Sequence, residues 1–170
     1  MKPKDLAIAL FALLLVGALV FLWLSPSGTQ RAPEVAVETL DGGSLSLAEL
    51  RGRPVLVTFW ATTCTTCVAE IPHLAELHRE LGPEGFTIIA VAMPYDPPPQ
   101  VKQMASERDM PYTVALDREG TATAAFGGVK VTPTHFLIAP DGRIVQKKLG
   151  QLDTDRLKRR VQGMLAQGAA

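Results

Sequence analysis

The chain has 170 residues, 47% of them hydrophobic, a mean hydropathy of +0.16, and 17 basic residues against 17 acidic ones. A positive hydropathy mean with only 20% charged residues excludes a disordered chain, and the charge balance argues against a nucleic-acid binder. The length suits one domain, and two cysteines are too few for a disulfide-stapled scaffold or a four-cysteine zinc site.

From Leu6 to Leu24 every residue except Gly17 is apolar. As a helix this run is roughly 28 Å long, close to the ~30 Å hydrocarbon core of a bilayer. Without it the chain is about two-fifths hydrophobic, as an ordinary soluble domain is. Lys2 and Lys4 precede the run and nothing charged follows it before Arg31, so the positive-inside bias predicts a cytoplasmic N-terminus and an exported remainder. The run is longer than the apolar stretch of a signal peptide, and Trp23 stands where an interfacial anchor belongs; Ser25 and Ser27 keep a cleaved signal open as the alternative. The expected organisation is a cytoplasmic N-terminus and anchor over 1–25, a linker over 26–33 and one domain over 34–170. The chain is thus expected in the inner membrane, single-pass, with its domain facing the periplasm or cell exterior.

Val35 to Leu40, a turn at Asp41-Gly42-Gly43 and Ser44 to Ser46 predict an N-terminal hairpin. Val55 to Trp60 is apolar on both faces apart from Thr58, the pattern of a buried central strand, and Phe86 to Met93 is a second of the same kind. Between them a helix runs from the cysteines to Leu81, with Ile71, Leu74, Ala75 and Leu81 on one side, a kink expected at Pro72 and a stop at Gly82-Pro83. Pro97 to Met110 begins with prolines and carries Val101, Met104 and Ala105 at helical spacing. Thr134 to Ile138 and Ile144 to Leu149 flank Pro140-Asp141-Gly142 as a hairpin, and Leu157, Val161, Met164 and Leu165 give the last helix its apolar stripe. This alternation predicts an α/β domain with helices covering both faces of a mixed sheet.

Trp60-Ala61-Thr62-Thr63-Cys64-Thr65-Thr66-Cys67 joins the end of a buried strand to the start of a helix. Unpaired backbone N–H groups and the positive dipole end of a helix stabilise an anion there, which favours the thiolate of Cys64. Cys67 lies one turn on, in reach of Cys64. An exposed first cysteine attacks a disulfide, and the second resolves the mixed disulfide that results. A purely structural bridge is a poorer reading, since so short a ring restrains the unfolded chain by only about 2 kcal/mol against ~4.7 kcal/mol for a 100-residue loop. Zinc held with His73 and His78 is poorer still. A helix would set His73 roughly 13 Å along its axis from Cys64, whereas zinc ligands lie within ~2.3 Å of the ion.

Phe59-Trp60-Ala61-Thr62 before the cysteines, Glu70-Ile71-Pro72 after them, Val131-Thr132-Pro133-Thr134 followed by Phe136-Leu137-Ile138, and Asp141-Gly142 complete a pattern. In this order the set resembles the thioredoxin superfamily, and within it the membrane-anchored TlpA/ResA type of thiol:disulfide oxidoreductase, over about Ala32 to Leu165. The resemblance implies a thioredoxin-like three-layer fold, a mixed sheet flanked by helices, with an N-terminal β-hairpin extension. It implies Cys64 as nucleophile, Cys67 as resolving thiol, and a cis peptide bond at Pro133 beside them, an option realistic only before proline. Substrate is expected at Trp60, Thr65, Thr66, Thr132 and Pro133, with the backbone of Thr132 free to pair with an extended strand. Glu70, three residues past Cys67 on the same helical face, is implied to assist proton transfer, the alternative being a solvated acid favoured by the helix dipole. No cofactor beyond the Cys64–Cys67 disulfide and no metal is implied.

Three departures stand out. Thr63 replaces the tryptophan many relatives carry before the first cysteine, Thr65-Thr66 lacks a proline, and Thr58 stands where cytoplasmic thioredoxins have a buried aspartate. The resemblance favours the reducing direction, with exported protein disulfides or thiols as partners, for example the haem-attachment cysteines of apocytochrome c. Reduction there needs a membrane electron donor, because the exported side lacks a reductant of its own. The competing function is a copper-binding, metallochaperone-like protein using Cys64, Cys67 and His135 as soft ligands, although His135 reads more readily as an ordinary packed or edge histidine. Tyr95-Asp96-Pro97 follows the second buried strand and reads either as a ligand loop or as a helix-starting turn.

Overall fold

The computed structural model describes residues 13–17 and 30–168. Of the expected anchor only 13–17 falls within them, as helix with Leu13, Leu14, Leu15 and Val16 exposed; the rest of 6–24 lies outside the described residues. No described helix is long and apolar enough to cross a membrane.

Seven strands form the domain's sheet: β1 (Ala36–Thr39), β2 (Ser44–Ser46), β3 (Val55–Trp60), β4 (Thr87–Ala92), β5 (Thr113–Leu116), β6 (Thr134–Ile138) and β7 (Ile144–Leu149). Four helices accompany them: α1 (Thr65–Leu81), α2 (Pro98–Glu107), α3 (Thr121–Ala125) and α4 (Thr154–Gly168), besides a 3-10 turn at Leu47–Leu50. The strand order is β2-β1-β5-β4-β3-β6-β7, with β3, β4 and β5 parallel and the outer pairings antiparallel. β3 is buried at all six positions, which its unbroken apolar run anticipates.

The period of two along β3 divides the core into two layers. Leu56 and Trp60 face one side, where they join Ile71, Leu74 and Leu81 of α1, Val101 of α2, and Leu157 and Val161 of α4. Val55, Val57 and Phe59 face the other, with Ala122 of α3, Phe126 and Leu50. Helices therefore flank both faces unequally, the three longer ones sharing a layer. Two successive right-handed crossovers in one direction, β3-α1-β4 and β4-α2-β5, put α1 and α2 on the same side. β5 and α3 are absent from the sequence reading, and the expected helix over Pro97–Met110 is shorter at both ends.

Gly142 turns the β6–β7 hairpin at a φ of 84°, where a side chain would be strained. This turn also receives the incoming chain. The N–H of Ala32 donates to the Gly142 carbonyl at 2.8 Å, and that of Ile144 to the Gln30 carbonyl at 2.9 Å. Part of the expected 26–33 linker is thus paired to the edge of β7. The contact lies at the end of the sheet where Val55 begins β3, because Val55 is the register partner of Ile138.

Phe59 is fully buried and meets Phe126 and Phe136 edge-on at centroid distances of 5.3 and 5.9 Å. Phe59→Ala is expected to cost about 3–5 kcal/mol, read from the urea midpoint at unchanged m-value.

Candidate active site

At the C-terminal end of β3 the chain leaves the sheet through Ala61, Thr62 and Thr63 and enters α1 with Cys64 as its N-cap. The capping atom is sulfur: Cys64 Sγ accepts the backbone N–H of Cys67 at 3.2 Å, satisfying one of the donors a helix start leaves open. Cys64 and Cys67 are joined by a disulfide, with their Cα atoms 5.2 Å apart. The two sulfurs differ in setting, since Cys64 is half-buried and Cys67 is 4% exposed among core side chains. Thr63, Thr65 and Thr66 are exposed around them.

Asp96 holds this loop from the neighbouring strand's end. It is buried, and its carboxylate accepts both the N–H of Thr62 at 2.6 Å and the Thr62 hydroxyl at 2.5 Å. An Asp-Pro step after a strand resembles a helix-starting turn, and its role here is tertiary across 34 residues, so sequence reading misses the clamp.

The peptide bond between Thr132 and Pro133 is cis, as the resemblance implies. Pro133 and Cys67 line one small cavity together with Thr58, Trp60, Glu70 and Tyr112, with about 10 Å³ of room for a water's centre. Among the described residues, the backbone groups of Thr132 make no hydrogen bond within the protein. Trp60 is a correction. Expected to meet substrate, it is 3% exposed and faces the cavity behind Cys67, because it is the last residue of a strand buried on both faces.

Glu70 is 3% exposed, so the solvated-acid reading does not hold. Its Oε1 accepts the N–H of Leu152 at 2.5 Å, which ties α1 to the segment entering α4. Its Oε2 lies 3.4 Å from Nε2 of His135, itself 2% exposed. The packed reading of His135 is correct as to burial, but its carboxylate neighbour has no signature in the sequence. Burial pushes the Tyr112 phenol well above its ordinary range, and the charge of Glu70 adds to the shift. Among the described residues, no three His, Cys, Asp or Glu side chains group so as to hold a metal ion, and the copper reading has no observation in its favour.

Asp96→Ala is expected to destabilise the domain by about 1.5–3 kcal/mol, the range for hydrogen bonds to a charged group, read from urea unfolding of the oxidised protein.

The Redoxin family model matches residues 27–165. The ResA thiol-disulfide oxidoreductase of Bacillus cereus is 33% identical over 129 residues, which span 76% of this chain and 73% of that protein. ResA of Oceanobacillus iheyensis is 32% identical over 121 residues, 71% of this chain and 62% of its own length. Among solved structures, a thioredoxin-family thiol:disulfide interchange protein from Chlorobium tepidum superposes with a TM-score of 0.75 at 28% identity, covering 82% of this chain and 99% of that one. With a disulfide at a strand-to-helix junction beside a cis-proline already in place, the chain belongs to the Redoxin family and is a thioredoxin-superfamily thiol:disulfide oxidoreductase of the ResA/TlpA type.

Proposed function

We propose that this oxidoreductase works outside the cytoplasm, held to the inner membrane by residues 6–24, and reduces disulfides of exported proteins, the haem-attachment cysteines of apocytochrome c among them. The observation that carries the exchange mechanism is the asymmetry of the pair: Cys64 half-buried at the N-cap of α1, Cys67 buried beneath it. In the reduced protein Cys64 is the thiolate, stabilised by the helix N-terminus, and it attacks a substrate disulfide. One substrate sulfur leaves as thiolate. Cys67 then attacks Cys64 Sγ, the mixed disulfide breaks, and the second substrate sulfur leaves reduced.

Thr65 and Thr66 lie between the two cysteines in the chain and Pro133 lines a cavity with Cys67; these three and Thr132 are the substrate contacts of this reading, and the unpaired backbone of Thr132 suits an extended substrate segment. Glu70 takes the proton of Cys67 as the resolving step begins. The cycle closes when a membrane electron donor reduces the Cys64–Cys67 disulfide, and no cofactor beyond that disulfide is required. The tethered arrangement is supported by the path of the chain. Residues 30–32 join the edge of β7 at the opposite end of the sheet from Cys64, which leaves the disulfide free of the tether.

Cys67→Ser is expected to accumulate mixed disulfides through Cys64, identified by mass spectrometry of the trapped proteins; no trapped protein, together with no exchange by the purified domain, contradicts the mechanism. The Cys64/Cys67 couple is expected near about −270 mV or lower, whereas a potential near about −120 mV makes the protein an oxidant.

A further inference from the structure

We propose that His135 is the proton-handling partner of Glu70, the two forming one buried acid–base unit that serves Cys67. This rests on the reading of Cys67 as the resolving thiol and Glu70 as its base. β6 is buried at all five positions, and an imidazole placed there loses its hydration. Buried polar atoms normally find partners, yet neither ring nitrogen of His135 has a hydrogen bond. A carboxylate oxygen, Glu70 Oε2, lies 3.4 Å from Nε2, and that oxygen is the open one because Leu152 occupies Oε1.

Few other charges face the pair. From α1 come Cys67 and Glu70 itself, and from the segment before β5 comes Tyr112, whose raised phenol stays neutral. β3 contributes Thr58, the register partner of His135, which brings no charge. On β7 the register partner is Lys148, whose side chain is exposed, and beside Leu152 on the segment entering α4 stands Asp153, also exposed, whose carboxylate accepts the N–H of Arg156. The unit therefore has one acidic and one basic member in a nearly dry site. A lone buried carboxylate taking up a proton would leave only its own protonated form as a store; an adjacent imidazole supplies a second site, so the proton can leave Cys67 and rest on the pair.

The step balances as follows. The Sγ–H bond of Cys67 breaks and its proton passes to the Glu70–His135 unit. The Cys67 thiolate forms a bond to Cys64 Sγ while the bond from Cys64 to the substrate sulfur breaks, and the substrate departs as a thiolate that takes a proton from solvent. Two protein thiols are oxidised and one substrate disulfide is reduced. The unit then releases its proton once the disulfide has formed.

The test is single-turnover reduction of an aromatic disulfide by the reduced protein. Attack by Cys64 and collapse of the mixed disulfide each release a coloured thiolate and are followed separately from about pH 5 to pH 8. In His135→Leu and His135→Gln the collapse is expected to slow by about tenfold or more at neutral pH and to lose the wild-type pH profile, while the rate of first attack stays within about twofold. Loosened packing would instead alter both steps. His135→Gln keeps a donor in the buried position without a basic nitrogen, so full recovery of rate and profile in that variant overturns the proposal, as does an unchanged collapse in His135→Leu. Glu70→Gln separates the two readings. If its collapse is unchanged, the assignment of Glu70 as base fails and the pairing with it; if Glu70→Gln slows the collapse and neither histidine variant does, only the pairing fails.

Discussion

Cys64 caps its own helix, and most of the site follows from that one contact. A sulfur accepting the Cys67 N–H places the first cysteine where α1 leaves donors open, and the same geometry brings the second cysteine one turn inward, against the core. The position of the cap is set from below by β3. Because that strand is buried on both faces, it has no freedom to slide without moving its apolar residues into the wrong layer. Asp96 fixes the short passage between strand and helix from the side, holding Thr62 by its N–H and its hydroxyl. A strand, a carboxylate and a helix start thus converge on three residues, and the disulfide sits on a support rather than on a free loop.

Behind the disulfide the core turns polar. Glu70 and His135, with Thr58 beside them, are desolvated at a cost that an ordinary apolar repacking would avoid. Glu70 recovers part of that cost through Leu152, and His135 recovers little, since both of its nitrogens lack hydrogen bonds. A nearly dry pocket raises the strength of every remaining electrostatic interaction, which is a poor arrangement for stability alone and a suitable one for moving a proton to or from a buried thiol.

Sequence reading succeeds where pattern is local and fails where partners are distant. β3, β6 and β7 begin and end where expected, and α1 runs from the cysteines to Leu81, because β3 and β6 are largely apolar, β7 follows the Pro140-Asp141-Gly142 turn, and α1 carries an apolar stripe that stops before Gly82. β5 has only four residues and is buried because β1 and β4 lie on either side of it, neither of them adjacent in the chain. α3 depends on Asp117, whose carboxylate accepts the N–H groups of Ala122 and Thr123, in a stretch with no apolar stripe. The two cysteines and Pro133 are legible from motif order, and Glu70 from its spacing. Asp96 and the neighbour of His135 are not, since nothing near either residue in sequence names Thr62 or Glu70. Trp60 is misread for a related reason: motif membership says that it is near the disulfide, and only packing says on which side.

The central claim is that the two thiols of the reduced protein are unequal, with half-buried Cys64 the nucleophile and buried Cys67 its resolving partner. Alkylation of the fully reduced wild-type protein by a limiting dose of iodoacetamide at neutral pH, with peptide mass spectrometry to locate the label over time, tests it directly. The account predicts label on Cys64 while Cys67 stays free. Equal labelling of the two cysteines, or faster labelling of Cys67, would contradict it.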